Sequence, residues 1–445
     1  MVYLYGPSDE LARTFTSQDD QLRKAIGKKD PGLMGDLATQ FNKVTPITPE
    51  EDLALFREIL EDHYGARIFG EHDLGTLKQV TSVLENGAEK FVLCADGHLG
   101  YAHPIGGVAA YRDRISLSGV GYDIGCGNLL VVTDADVDAT CENIDVIMDD
   151  IVANISFGVG RKNSTRVEDD LFEWPVWGEL EFLRPLKRLA EDQLGTVGSG
   201  NHYVDIFIDD LGRVCVGVHF GSRGLGHKTA THFLKAVGAR DAMDAPPATL
   251  LADSDLGQQY RLAMALAGRY AERGREWVCQ FVVKNILGAS ALDSVHNHHN
   301  YAWREEHGGE DFWVVRKGAT PAFPGQRGFV GGSMGDDAYI VEGVATEGAR
   351  RALYSTVHGA GRVMSRTAAR GKKGKPGLVS REAMRAWLDE RRVELRGGDL
   401  DEAPQAYRRL DQVLAYHAGT VNIVRTLRPI GVAMAGKDTF DPYKD

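Results

Sequence analysis

The stretch "RVCVGVHFGSRGLGH", residues 213–227, decides the architecture. It opens as a valine-rich run of strand type and closes in a glycine-rich turn carrying His219, Arg223 and His227. Similar strand-type runs occur from about residue 90 onward: "KFVLCA" (90–95), "NLLVVT" (128–133), "YVDIFI" (203–208), "DFWVVRK" (311–317) and "YIVEGV" (339–344). Helical segments are interspersed with them rather than strictly alternating. The clearest are "LADSDLGQQYRLAMALAGRYAERGREWVCQFVVKNIL" (251–287) and "SREAMRAWLDERRVELR" (380–396). That arrangement predicts an α+β fold rather than a doubly wound parallel sheet.

At 445 residues the chain exceeds the usual size of one domain, yet no linker or low-complexity tract divides it and no internal repeat is found. We expect an N-terminal helical extension over 1–75 and one large domain over 76–445. In the extension, "TPEEDLALFREIL" (48–60) reads as a helix capped by Thr48, with Pro49 in its first turn. Apolar residues make up 43% and charged residues 26%, which suits a globular protein with a sizeable core. Neither a signal peptide nor a membrane-length apolar run is seen, so a cytoplasmic location and no membrane partner are the expectation. Five cysteines without CxxC spacing argue against a disulfide framework or a zinc knuckle. A net charge of −12 argues against wholesale coating of nucleic acid. The acid-free run carrying Arg362, Arg366, Arg370, Lys372, Lys373, Lys375 and Arg381 is either a local basic groove or a solvated loop.

Chemistry concentrates in five places, read as glycine-rich turns at strand ends: "CADGHLGYAHPIGG" (94–107), "GVGYDIGCGN" (119–128), "GTVGSGNHYVD" (195–205), "VHFGSRGLGH" (218–227) and "HNHHNYAWREEH" (296–307). Glycine lets backbone approach a ligand closely, so such turns build sites on rigid scaffolds. A lone histidine in such a turn more often bonds neighbouring amides than a metal. Asp, Cys and several His converging from separate turns would instead supply the mixed O, S and N donors of a transition-metal site. Independently, "GSRGLGH", "GGSMGDD" (331–337) and "HGAGR" (358–362) could cradle phosphate oxygens with backbone amides and arginines. No Walker A pattern is present, and GxGxxG does not occur between a strand and a helix.

Taken in order, "DGHLGYAHPIGGVAA", "GYDIGCGN", "LGTVGSGNHYVDI", "VHFGSRGLGH", "HHNY", "RKGA", "GGSMGDDAYIV" and "HGAGRVMSR" resemble the RtcB family of RNA-splicing ligases. The likeness runs from about residue 75 to about residue 436. It implies a single RtcB-like catalytic domain with mixed sheets and glycine-rich active-site loops. The implied activity is that of a GTP- and manganese-dependent ligase. It joins an RNA 3′-phosphate or 2′,3′-cyclic phosphate to a 5′-hydroxyl through a histidine–GMP intermediate, in RNA repair or tRNA splicing. Two Mn2+ ions and GTP are the implied cofactors; RNA with such ends and an archease-like activator protein are the implied partners. Carried over motif by motif, Asp123, Cys126 and His202 would hold one ion, and Cys126, His219 and His299 the other. His296 and His298 are second-choice ligands. His358 matches the nucleophile, with Asp96 and Arg223 in motifs used near the RNA ends. The nucleotide pocket would take Asn201, His202, Asp205, His299, Asn300, Gly331, Gly332, Ser333, Met334, His358, Gly359, Ala360 and Gly361.

The chain departs from the family pattern at the guanine end. Ala338 stands for a serine, Met434 for the lysine that helps read guanine, and Asp205 for a longer Glu. Phe220 stands for a small polar residue. Lys437, three residues after Met434, is the candidate substitute if the tail folds back. The alternatives these departures raise are a ligase of altered nucleotide preference and a dimetal phosphodiesterase or cyclic-phosphate hydrolase acting on RNA ends.

Overall fold

The computed structural model describes residues 49–437 except 241 and 373. Thr48, Lys373 and the first 48 residues of the expected extension therefore lie outside the described residues. Two compact units divide between Ala66 and Arg67. In the first, the expected helix runs Pro49–Asp62, with proline at the position where a missing N–H costs least.

The second unit is a mixed α/β structure whose strands are mostly antiparallel. Its larger sheet has the order Arg327–Val330, Ala338–Gly343, Val421–Gly436, Tyr203–Asp209, Val214–Phe220, Gly127–Thr133, Ala291–His298. Glu394–Gly398 joins it in parallel on Val421–Gly436. The sheet curls until its two ends nearly meet. Phe329 N donates to Asn297 Oδ1 at 2.8 Å, Asn128 Nδ2 donates to Phe329 O at 2.8 Å, and Arg327 pairs with Asp293 at 2.6 Å.

Side-chain alternation explains why this curled sheet has a packed inside and a packed outside. In the 214–220 strand, Val214, Val216 and Val218 face out, against Ile147, Met148 and Ile151 of the Ile144–Asn154 helix and Val278 and Cys279 of the Asp255–Phe281 helix. The alternate residue Cys215 faces in, with Leu130, Phe207, Phe329, Ala338 and Leu427, and together they plug the interior. His219 shares that inward parity and sits near the strand's end, above the plug. Phe220, flagged in the sequence, packs in the outer core at 1% exposure.

The second sheet has the order Arg67–Ile68, Lys90–His98, Ile105–Tyr111, Asp311–Lys317, Asn300–Glu306. Its Lys90–His98 strand pairs with Ile105–Tyr111 as far as Leu93 and again only at His98. The irregular stretch between carries Asp96. Bulges of this kind re-aim side chains, and this one delivers a carboxylate to the sheet's end.

Three sequence expectations differ from the structure. "HNHHNYAWREEH" is not a glycine-rich turn: Ala291–His298 and Asn300–Glu306 are strands of the two sheets, and His299 is the residue where one passes to the other. The helix expected over 380–396 ends at Arg391, because Arg392 adopts the left-handed conformation (φ 55°) and residues 394–398 then form a strand. The 16-residue Val421–Gly436 strand has no counterpart in the sequence reading. It contains Pro429, which cannot donate to a ladder, and its pairing with Tyr203–Asp209 shifts register between Pro429 and Gly431. Among the described residues no helix is long and apolar enough to cross a membrane.

Candidate functional site

The turn at 123–126 enters the Gly127–Thr133 strand, and each of its carbonyls is held. Asp123 O accepts from Cys126 N at 3.0 Å and from Asn300 Nδ2 at 3.3 Å. Ile124 O accepts from Ser222 Oγ at 2.5 Å, Gly125 O from Arg275 Nη1 at 3.0 Å, and Cys126 O from His299 N at 2.8 Å. Gly125 has φ +72°, and a Cβ there would lie 2.8 Å from Gly268 Cα of the long helix, so only glycine fits. This lattice fixes Asp123 and Cys126 before any ligand arrives.

Around the Cys126 thiol, His219 Nε2 lies at 3.4 Å and His202 Nε2 at 3.7 Å, and His202 Nε2 is 3.2 Å from Asp123 Oδ2. Donors held about 2.0 to 2.3 Å from one tetrahedral ion stand roughly 3.3 to 3.8 Å apart, so the spacing of this set suits a metal. The three donor atoms of Cys126, His202 and His219 all lie within 4.8 Å of one another. His299, 2% exposed, has its ring 5.0 Å from that of His219, and its Nδ1 is buried without a partner. Burial keeps His219 and His299 neutral, the form that ligates. Burial would raise the Asp123 carboxyl, but the bond and charge of His202 bring it down to about 2. Burial pushes the Cys126 thiol up, with Asp123 adding to the effect. A cation among these donors would reverse that last shift.

His358 follows the Ser355–Val357 strand, and its ring lies 4.9 Å from that of His299. Its Nδ1 is 2.6 Å from Asp96 Oδ2, an oxygen that also accepts from the backbone N–H of His358 (3.0 Å) and Gly359 (3.3 Å). Asp96 is fully buried. Burial alone would raise its carboxyl, yet the charge and hydrogen bonds of His358 hold it below the usual range. Proton-bearing Nδ1 on Asp96 leaves Nε2 with a free lone pair.

His358 also lines a cavity of about 500 Å³ with Asn201, Asp205, Gly331, Gly332, Ser333, Met334, Gly359, Ala360 and Gly361, all named for it in the sequence. Gly331 and Gly359 form a backbone bridge that joins the two glycine turns. His202, His299 and Asn300 do not line it. The first two belong to the donor cluster, and the Asn300 side chain is spent on Asp123 O and on Gly318 N, at 2.8 Å. Arg223 also stands outside the cavity wall. It holds a left-handed backbone (φ 56°), bonds Thr196 Oγ1 and Gly158 O, and its charge helps lower Asp123.

The wall includes residues the sequence reading did not select, His98, Glu402, Tyr407 and Val432, and it includes Met434, which the sequence placed at the guanine end. Burial pushes His98 down to about 4. Arg362 bonds Asp401 O at 2.8 Å and Tyr407 Oη at 2.9 Å, and Arg366 pairs with Glu402. These first two members of the basic run are thus tied to buried acids, while Arg370, Lys372, Lys375 and Arg381 are exposed. "HGAGR" gave a signal for Arg362, but nothing local marks Glu402 or Tyr407. Ala338 packs in the plug and does not line the cavity, so no hydroxyl is missing from the wall there. Asp205 is 7% exposed, with Oδ1 unpartnered, and burial pushes its carboxyl well up.

Thiol, imidazole and carboxyl donors converging beside a histidine held by a buried acid are the equipment of a metal-dependent enzyme. A family model described as "tRNA-splicing ligase RtcB" matches residues 77–435. Among similar proteins, the tRNA-splicing ligase RtcB of Thermococcus kodakarensis is 33% identical, with 80% of this chain and 90% of that protein covered. The RNA-splicing ligase RtcB of Escherichia coli K12 is 31% identical, with 75% and 87% covered. The tRNA-splicing ligase RtcB of Archaeoglobus fulgidus is 32% identical, with 76% and 86% covered. The chain belongs to the RtcB family, and by that membership it is an enzyme of the RNA-ligase class.

Proposed function

We propose that this enzyme seals RNA ends bearing a 3′-phosphate or 2′,3′-cyclic phosphate to 5′-hydroxyl ends, with GTP consumed and His358 as the nucleotide carrier. The observation that carries this reading is His358 itself: one ring nitrogen fixed on buried Asp96, the ring beside the donor cluster, and the cavity in front. His358 Nε2 attacks the α-phosphorus; a P–N bond forms and pyrophosphate leaves. A 3′-phosphate oxygen then attacks the same phosphorus, the P–N bond breaks, and GMP is joined to the RNA end. The 5′-hydroxyl attacks the RNA phosphorus, forming the new phosphodiester as GMP leaves. A cyclic end is first opened by water. Asp96 holds the Nδ1 proton throughout, which orients Nε2 in each attack.

Asp123, Cys126, His202, His219 and His299 would hold manganese, in the divided sets the family likeness implies. Bound metal would neutralise charge on the phosphoryl oxygens. The glycine turns at 331–334 and 359–361 offer amides to the nucleotide. Exposed Lys372 and Lys375 offer charge to the RNA backbone, so reversing both should weaken RNA binding and flatten its salt dependence; unchanged binding removes them from this role.

A second reading concerns the nucleotide. Met434 lines the cavity where a lysine would place a donor, and exposed Lys437 does not reach the wall. A thioether donates nothing to a base oxygen, so discrimination worth about 1 to 3 kcal/mol per lost partner is removed. GTP and ATP should then differ less than about tenfold as donors.

The test is incubation with manganese and nucleotide labelled at the α-phosphate, without RNA. Acid-labile label present in the wild type and absent from His358→Ala supports the carrier role. Metal-loaded protein that takes no label from either nucleotide counts against it.

A further inference from the structure

Two arginines are fully buried among the described residues, and their partners differ in kind. Arg316 meets Glu305 with both ends of its fork, at 2.6 and 3.0 Å, which is the usual way to bury a guanidinium. Arg275, in the last two turns of the Asp255–Phe281 helix, meets no carboxylate at ion-pair distance among the described residues. Its Nη1 donates to Gly125 O at 3.0 Å and to Phe220 O at 2.5 Å, and its Nη2 donates to His296 Nε2 at 2.8 Å. His298 Nδ1 lies 2.9 Å from Gly125 O and 3.0 Å from Arg275 Nη2. A carbonyl oxygen can only accept, so His298 Nδ1 donates to Gly125 O and cannot also accept from Nη2.

Burying a guanidinium without a counter-carboxylate costs several kcal/mol, so its geometry calls for a reason. The two carbonyls it grips supply one. Gly125 immediately precedes Cys126, and Phe220 immediately follows His219, so one guanidinium nitrogen, Nη1, ties two donor-bearing segments that are 93 residues apart in the chain, while Nη2 and its bond to His296 fix the plane of the fork. A lysine's single ammonium cannot span the same set with fixed geometry.

We propose that Arg275 is a positioning residue of the metal centre, setting the distance between Cys126 and His219, and that His296 and His298 serve this clamp rather than the metal. The proposal rests on the reading of Cys126 and His219 as metal ligands. It gives a use to two histidines of "HNHHNY" that stand outside the donor cluster. Partners of this outer kind typically change metal affinity by about 10- to 100-fold when lost.

The test measures Mn2+ affinity by calorimetry and the thiolate-to-metal absorption of the Co2+-loaded protein, on full-length wild type and five variants, one of them the ligand variant His219→Ala. Arg275→Lys should weaken binding by about 10- to 100-fold and shift the absorption. His296→Gln, whose amide oxygen can still accept the guanidinium bond, should stay within about threefold of wild type, and His296→Leu should fall with Arg275→Lys. Arg316→Lys serves as a stability control and should leave both readings unchanged. If Arg275→Lys binds metal as wild type does, or if His296→Gln loses as much as a ligand variant such as His219→Ala, the clamp is refuted. Wild type that binds neither ion refutes the metal reading and the clamp together. The two failures are therefore distinct.

Discussion

The donor cluster and the far wall of the cavity are built on neighbouring residues of the same strands, and they are finished differently. Tyr203 pairs with His219 on one side and with Met434 on the other, so one row of the curled sheet runs from a histidine of the donor cluster to a thioether. At the donor end each carbonyl of the 123–126 turn is bonded, and Asp123, Cys126, His202 and His219 converge. At the other end Asp205 has an unpartnered buried oxygen and Met434 offers no polar contact. On the proposed reading, the chemistry of transfer would be over-determined, while recognition of the base would rest on few groups. Reaction type and nucleotide choice can diverge separately on this scaffold.

The largest effect expected from this contrast is at the donor end. Cys126→Ala should lower label transfer to His358 by about 10³-fold or more, whereas the volume-conserving Met434→Leu should cost less than about threefold with GTP. Comparable losses in single-turnover labelling would erase the distinction.

Acid sensitivity comes next. Burial pushes His298 down to about 3, against 6.5 in the unfolded chain. A depressed histidine stabilises the fold above the unfolded value, and that stability is lost as pH falls from 6.5 toward 3. His298→Gln should therefore lessen the fall of stability by about 1.4 kcal/mol per pH unit between pH 6 and 4, read by urea unfolding of the metal-free protein. Met434→Leu should leave that slope alone. Equal slopes in all three proteins would remove His298 as the source.

The smallest effect is the restoration of a donor at the base end. Met434→Lys should raise the preference for GTP over ATP by about tenfold, measured as the ratio of initial labelling rates. An unchanged ratio would mean that the base is read by other groups.

Six strands of the two main sheets were legible because their signals are local, valine-rich or aromatic runs ending in turns; local residue types raised a metal site, but which Asp, Cys and His converge came from the family likeness. What was not legible depends on register between distant segments. The Val421–Gly436 strand hides behind Pro429, whose break in pairing is absorbed by a register shift. "HNHHNY" contains no strand-to-turn contrast because one sheet gives way to the other at His299. Arg275 lies in "RYAERGREW", within the helix expected over 251–287 but not singled out there, and it is fully buried. Ala338 fell on the cavity by motif alignment, but the inward parity of its strand puts it in the plug.

The most direct measurement starts from protein labelled on His358 and freed of excess nucleotide, chased with RNA fragments ending in 3′-phosphate and 5′-hydroxyl. The account predicts that label leaves the protein as the nucleoside monophosphate while a sealed product appears whose junction phosphate came from the RNA 3′ end. Label released without sealing, or a junction phosphate drawn from the nucleotide, would contradict it.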